Sequence, residues 1–292
     1  MPTVFRKEWA GGGSKGKRNM PDQAYEWIEY KVADGFATIT FNAPQFNNAL
    51  GLKGLQEFLN ALYRAEADDA VGAVVVTGRG KAFCAGFNLK EIPVKDLDLE
   101  KVAAHFRVVA MWWHQILHLF TRMPKPILAA VNGVAAGSGL GMTLCADIAI
   151  CKDTASFFPA WHTIGIANDA TTSYSLAKIV GFRHAMEWMM TNRTVQAKEA
   201  LEWNVVNRVY DEADFDKNVG IIARELAAGP THLQGIAKTG FHMGWRQSIE
   251  EATEFEIQNV MKTVRHPHFQ KTLAKFLTGE QKSNKPQVTL PD

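Results

Sequence analysis

Residues 126–142 read PILAAVNGVAAGSGLGM. Ile127–Val131 is a short unbroken apolar run, which suits a strand covered on both faces. Asn132 to Gly139 is rich in glycine and small residues, so the chain turns there. From Ser138 a short helix is expected to about Ala146. The first N–H groups of such a helix point outward, at the positive end of its dipole. A second turn lies upstream. Val71–Thr77 (VGAVVVT) predicts another doubly covered strand, followed by the loop Phe83-Cys84-Ala85-Gly86-Phe87. Two such turns at the ends of neighbouring strands can aim two N–H groups at one oxygen. That is the arrangement of an oxyanion hole, a device for carbonyl chemistry. For either turn alone the competing reading is close packing of tight turns.

On both sides of these turns strands and helices alternate. Tyr25–Lys31 and Phe36–Phe41 predict strands joined at Ala33-Asp34-Gly35. Leu52–Ala67 and about Asp98–Arg122 carry helical spacing, and Ile148–Cys151 and Ala155–Phe158 predict strands. From Ala170 onward the pattern is mostly helical, through Ser173–Val180, Arg183–Thr191, Ala197–Glu202, Ala213–Ala227, Thr231–Trp245, Ile249–Val264 and His268–Leu277. The expected class is α/β, with a core over residues 21–225 and a helical C-terminal region over residues 226–292. Residues 1–20 stand apart as a disordered basic leader. They hold Arg6, Lys7, Lys15, Lys17 and Arg18 against Glu8 and lack the apolar core of a signal peptide.

Composition removes several classes. The chain has 292 residues, 47% hydrophobic and 21% charged, with a net charge of +2. That is ordinary globular composition, with no basic excess to suggest nucleic acid and no apolar run long enough to span a bilayer. Cys84, Cys145 and Cys151 have no paired spacing and are expected as free thiols in a reducing, cytoplasmic setting. No G-x-G-x-x-G opens an early helix after a strand, and no phosphate-binding P-loop is present.

Four segments fall in a telling order: Pro44-x-x-x-Asn48-Ala49-Leu50, KAFCAGFNLKE (81–91), PILAAVNGVAAGSGLGM and CADIAI (145–150). In order and spacing they resemble the enoyl-CoA hydratase/isomerase (crotonase) superfamily. The resemblance covers Tyr25 to the C-terminus. It implies a spiral of ββα turns, a helical trimerisation region, acyl-CoA thioester substrates, and an oxyanion hole made by the N–H groups of Phe87 and Ser138. Ser138 stands where the family usually has glycine, and a backbone donor survives that change.

The superfamily does not fix the reaction. Its hydratases carry two glutamates, and the matching positions here are Gly141 and Trp161, which cannot move protons for hydration. The chain offers instead Trp161–Asp169 (WHTIGIAND) and Met111-Trp112-Trp113-His114. Asp169 precedes a helical pattern, so a helix N-cap competes with a catalytic reading. His114 lies among Phe106, Ala110, Trp113, Leu117 and Phe120, so a structural histidine competes likewise. His114 and His118 have zinc-ligand spacing but no third ligand, and no metal is expected. Trp161 has a packing alternative, and Phe87, Phe106 and Trp113 are expected as apolar wall.

AFCAGF (82–87), WWHQ (112–115) and AWHTIGIANDATTSYSLAKIVG (160–181) narrow the resemblance to the dehalogenase branch of that superfamily. MTNRT, ARELAA, PTHLQ, EFEIQNV and HPHF extend it. That resemblance implies hydrolytic removal of halide from a 4-chlorobenzoyl-CoA thioester. Asp169 is then the nucleophile, His114 the base, and Trp161 the N–H donor that orients Asp169. Phe106, Trp113 and Gly137 would line the substrate site, and Lys90 matches a basic position used for CoA phosphates. Lys275 and Lys282 could reach a neighbour's CoA in a homotrimer. Asn47 stands where that branch has a basic residue, and Glu256 could support the Asp169 region. No cofactor is expected, because CoA is part of the substrate. Two other readings stay open. One is another CoA-thioester enzyme, an aroyl-CoA hydrolase or enoyl-CoA isomerase. The other is a non-catalytic RNA-binding relative that uses the leader.

Overall fold

The computed structural model describes residues 24–92 and 98–279; the expected leader at residues 1–20 and Lys282 lie outside them. Strands β1 (Ile28–Ala33) and β2 (Phe36–Phe41) form an antiparallel hairpin and lead into α1 (Leu52–Ala67). The chain then repeats one pattern. A long strand is followed by a short one and then by a helix or short turn: β3 (Ala73–Gly78), β4 (Ala82–Cys84) and α2 (Leu99–Arg122); β5 (Ile127–Val131), β6 (Val134–Ala136) and α3 (Ser138–Cys145); β7 (Ile148–Lys152) and β8 (Ser156–Phe158). The long strands join a six-stranded sheet of order β1-β2-β3-β5-β7-β10, with β10 at Arg208–Tyr210. The short ones build a second sheet of order β4-β6-β8-β9, with β9 at Val195–Gln196. This is the expected spiral of ββα turns.

Alternation in the central strands explains the layering. Val74 and Val76 point into the large core, and Val75 points to the opposite face. There it meets Leu128, Ile150, Phe215 and Ile222 beneath helix α7 (Glu212–Ala228). Both faces of the parallel strands are therefore buried, as their unbroken apolar runs require. The core boundary expected at residue 225 falls inside α7. Between β8 and α7 lie α4 (Thr172–Val180), α5 (Phe182–Thr191) and α6 (Ala197–Glu202). Helices α8 (Thr231–Gly244), α9 (Ile249–Val264) and α10 (Pro267–Leu277) close the described chain.

Two expectations change. The loop after β3 and the turn after β5 each contain a three-residue strand, β4 and β6, which pair in parallel through Ala82↔Val134 and Cys84↔Ala135. Segments this short carry no periodicity of their own, and only partners distant in sequence make them strands. The first strand lies at Ile28–Ala33, displaced toward the turn from Tyr25–Lys31.

Candidate active site

The two expected turns meet. Gly86 has φ +90°, and a Cβ there would lie 3.1 Å from the Ser138 nitrogen, so only glycine allows this approach at low cost. Leu50 fixes the first turn. Its N–H donates to the Gly86 carbonyl (2.9 Å) and its carbonyl accepts from Asn88 N–H (3.1 Å). Phe87 is the central residue of this bridge, so its own N–H faces away from Leu50. The buried Asn48 holds the strand before it, accepting from Ala43 N–H and donating to the Arg79 and Ala82 carbonyls. That is the physical content of the Pro44-x-x-x-Asn48 motif. In the second turn Gly137 has φ +53° and ψ −121°, which side chains disfavour, and Ser138 is the first residue of α3. Neither the Phe87 nor the Ser138 N–H has an acceptor among the described residues.

Both turns open on a cavity of about 450 Å³. Its walls include Phe87, Phe106, Trp113, Gly137, Trp161 and Asp169. Phe106 packs edge-on against Phe87, with centroids 5.9 Å apart. Trp113 is buried on α2, and its indole nitrogen has no hydrogen-bond partner among the described residues. The lining is largely aromatic and aliphatic, which suits a flat apolar group held away from water.

Asp169 sits at one end of this cavity. It is not the N-cap of α4: Thr171 occupies that position, and the Asp169 backbone carbonyl, not its carboxylate, accepts from Thr172. Its carboxylate Oδ1 lies 2.6 Å from Nε2 of His114, 55 residues away on α2. Burial pushes the Asp169 carboxyl upward. The His114 hydrogen bond, an N–H from Ala170 and the His114 charge together outweigh it and hold the group below the usual range. The Asp169 hydrogen bond raises His114, against burial. Two consecutive non-glycine residues after Asp169, Ala170 (φ +53°) and Thr171 (φ +62°), are left-handed. Each such residue costs about 1–2 kcal/mol, held here by surrounding contacts. Ala170 is fully buried, and Thr171 Oγ1 lies 3.1 Å from Cys145 Sγ.

Ala170 also explains the residue facing it. A Cβ on Gly141 would lie 2.6 Å from both the Cβ and the carbonyl oxygen of Ala170. No side chain fits where the hydratases have a glutamate. Trp161 occupies the other such position, buried in the cavity wall, and among the described residues it makes no hydrogen bond to Asp169.

The remaining candidates lie farther out. The Lys90 ammonium rests over the Phe46 ring at 5.1 Å, beside the first turn. Asn47, Glu256 and Lys275 are exposed, the last two on α9 and α10. The His114 and His118 rings stack with centroids 6.5 Å apart, and no three potential metal ligands converge among the described residues. No helix of the described residues is long and apolar enough to cross a membrane. Asn48, Ala170 and Thr171 were not among the expected site residues. Asn48 stood inside a quoted motif, whereas nothing in the letters Ala-Thr signals a left-handed turn.

Known proteins share this architecture. The Enoyl-CoA hydratase/isomerase family model matches residues 31–285. Two proteins from Arthrobacter sp, 4-chlorobenzoyl coenzyme A dehalogenase-1 and -2, are each 51% identical over 263 residues, covering 90% of this chain and 95% of their own length. A crystal structure titled enoyl-CoA hydratase from Bacillus anthracis superposes with a TM-score of 0.80 at 26% identity, over 87% of this chain and 97% of its own. A putative enoyl-CoA hydratase/isomerase from Mycobacterium abscessus gives 0.78 at 30% identity, over 86% and 96%. The chain belongs to the enoyl-CoA hydratase/isomerase family.

Proposed function

We propose that this protein is a hydrolase acting on a carbon–halide bond, converting 4-chlorobenzoyl-CoA and water to 4-hydroxybenzoyl-CoA, halide and a proton. One observation carries the reading. A carboxylate held by an imidazole, Asp169 with His114, ends an apolar cavity whose other features include two unpartnered N–H groups. The 51% identity to the two Arthrobacter proteins gives the same direction.

The chemistry follows from the residues. The thioester oxygen accepts from Phe87 and Ser138, and the α3 dipole adds to the pull. Electron density leaves the para carbon, which an unactivated aryl halide does not permit. Phe106 and Trp113 hold the ring, and Asp169 attacks from within its own cavity. The carbon–oxygen bond forms, the carbon–halogen bond breaks, and the pair leaves with the halide. Esterification removes the carboxylate whose hydrogen bond and charge had raised His114. Burial then favours the neutral imidazole, which is the form able to take a proton from water. Water attacks the Asp169 acyl carbon, releasing the phenolic product and restoring the carboxylate. The clash behind Gly141 leaves no room for one member of the acid–base pair that hydration uses, and Trp161 stands in place of the other.

On this reading no metal or separate cofactor takes part, and CoA arrives with the substrate. Lys90 takes a CoA phosphate. The enzyme works in the cytoplasm as a homotrimer. Buried free thiols at Cys84, Cys145 and Cys151 support the compartment. Exposed Ile249, Ile257, Val260, Phe276 and Leu277 on α9 and α10 support the assembly.

The test is a single turnover in heavy-oxygen water, with enzyme in excess over 4-chlorobenzoyl-CoA. The first product should carry unlabelled oxygen, and the Asp169 peptide should become heavy. A first product labelled from water, with Asp169 light, points to direct attack by a His114-activated water. Free CoA without halide points to a thioester hydrolase.

A further inference from the structure

Asp169 belongs to two cavities. Beyond it, on the side away from Phe87 and Ser138, lies a second space of about 650 Å³. His114 lines only this second space. The two differ in character. The front cavity is walled by Phe87, Phe106, Trp113 and Trp161. The rear one is lined by polar groups such as Asn168, Ser173, Ser175 and Thr239, with Arg122 and Arg246. Asp169 is the only carboxylate among the rear lining residues. Neither arginine forms an ion pair with a carboxylate of the described residues, and both are exposed at the rim. Lys178 adds a third cation there, over the Tyr174 ring at 3.4 Å and the Trp245 ring at 5.0 Å.

Resting on the dehalogenation reading, we propose that this rear chamber is a halide-binding exit port and the entry for hydrolytic water, with Arg122 and Arg246 as its anion-attracting groups. The reaction creates the need. With the thioester at Phe87 and Ser138, the halogen leaves at the far end of the ring, beside Asp169. The acyl-CoA fills the way in and is then tethered as the Asp169 ester, so the halide cannot retrace the path of the substrate. Charge supplies the direction. Asp169 loses its negative charge as the carbon–oxygen bond forms, and the departing halide carries that charge away. The chamber thereby loses its one carboxylate as the anion appears, leaving the arginines to attract it. The same space brings water to His114 without wetting the aromatic cavity.

The experiment has an equilibrium arm and a kinetic arm. In Asp169→Asn protein, whose neutral side chain mimics the ester, iodide binding is read as quenching of Trp245 fluorescence, with Trp245→Phe as the control. Adding Arg122→Gln and Arg246→Gln should weaken iodide binding about tenfold, as the loss of two rim charges implies. Equal affinity with and without the arginines overturns the proposal, whatever the enzyme's activity. In the kinetic arm, a halide-sensitive dye should report free chloride before 4-hydroxybenzoyl-CoA leaves. The arginine pair, or Ser173→Trp narrowing the chamber, should slow chloride appearance and leave acid-quenched ester formation unchanged. Chloride and thioester product leaving together, or chloride release untouched in both variants, overturns it. Absence of any ester or chloride in the parent protein counts against the dehalogenation reading, while the iodide measurement still decides the anion site.

Discussion

The Nε2 atom of His114 lies 2.6 Å from Oδ1 of Asp169, and each group sets the protonation of the other. His114 is raised above its ordinary value of 6.5, so its contribution to stability is present below that value and fades as pH rises through the folded pKa. Asp169 is lowered below 3.8, so its contribution is present above that value and fades as pH falls through the folded pKa. Both contributions are present together between 3.8 and 6.5. Replacing Asp169 by Asn should drop the His114 pKa below its ordinary value, because burial then acts unopposed. NMR titration of the His114 ring checks this, and an unchanged pKa would show the contact to be electrostatically idle.

His114→Gln should separate the two halves of the reaction. Aromatic attack needs the carboxylate and a polarised ring, whereas ester hydrolysis needs a base. Hydrolysis should fall about 10²–10⁴-fold, the range for losing a general base, with a smaller effect on ester formation. Rapid quench should trap a protein-bound aryl ester; lost activity with no trapped ester contradicts this division.

Polarisation should be visible without turnover. Asp169→Asn protein should bind 4-hydroxybenzoyl-CoA and move its ultraviolet absorption to longer wavelength, because Phe87 and Ser138 remain. Adding Gly137→Val should shrink the shift, since φ +53° with ψ −121° is closed to a β-branched residue and the Ser138 N–H must turn. Ligand bound by Asp169→Asn protein with no spectral change rules out the proposed activation.

Gly141→Ala should destabilise the protein by about 1–3 kcal/mol, the usual cost of forcing atoms into a packed site. The added methyl meets the backbone of Ala170, so relief must move the residue next to Asp169. Activity should fall with melting temperature, and Ala170→Gly should restore part of both. Calorimetry and halide release on the three proteins measure this, and an undisturbed melting temperature for Gly141→Ala removes the steric argument.

Legibility in the sequence followed the length scale of each signal. Leu52–Ala67 reads as a helix because sixteen residues repeat one period, and the structure ends it at those residues. The strands β3 and β5 read as doubly buried because their apolar runs are unbroken. The turns at Gly86 and Gly137 stood out because glycine marks left-handed backbone. Strands β4 and β6 span three residues each and take their pairing from partners distant in sequence, so no local pattern encodes them, whereas β8 was read from the run Ala155–Phe158. Asp169 and His114 were legible by residue type, and their contact across 55 residues was not. Ala170 and Thr171 were silent because their conformation is imposed by packing against α3.

The contact between Gly141 and Ala170 bears on how reactions diverge within one lineage. A glutamate introduced at position 141 meets the backbone of the turn that follows Asp169, so that substitution alone is penalised. Ala170 has to shrink or the turn has to relax first, and that step loosens Asp169 while offering nothing in return. On the proposed reading, a step toward hydration at this position is therefore order-dependent, the cost of each substitution depending on the presence of the other. One of the two acid–base positions is thus closed not by its own side chain but by a pair of small residues that touch.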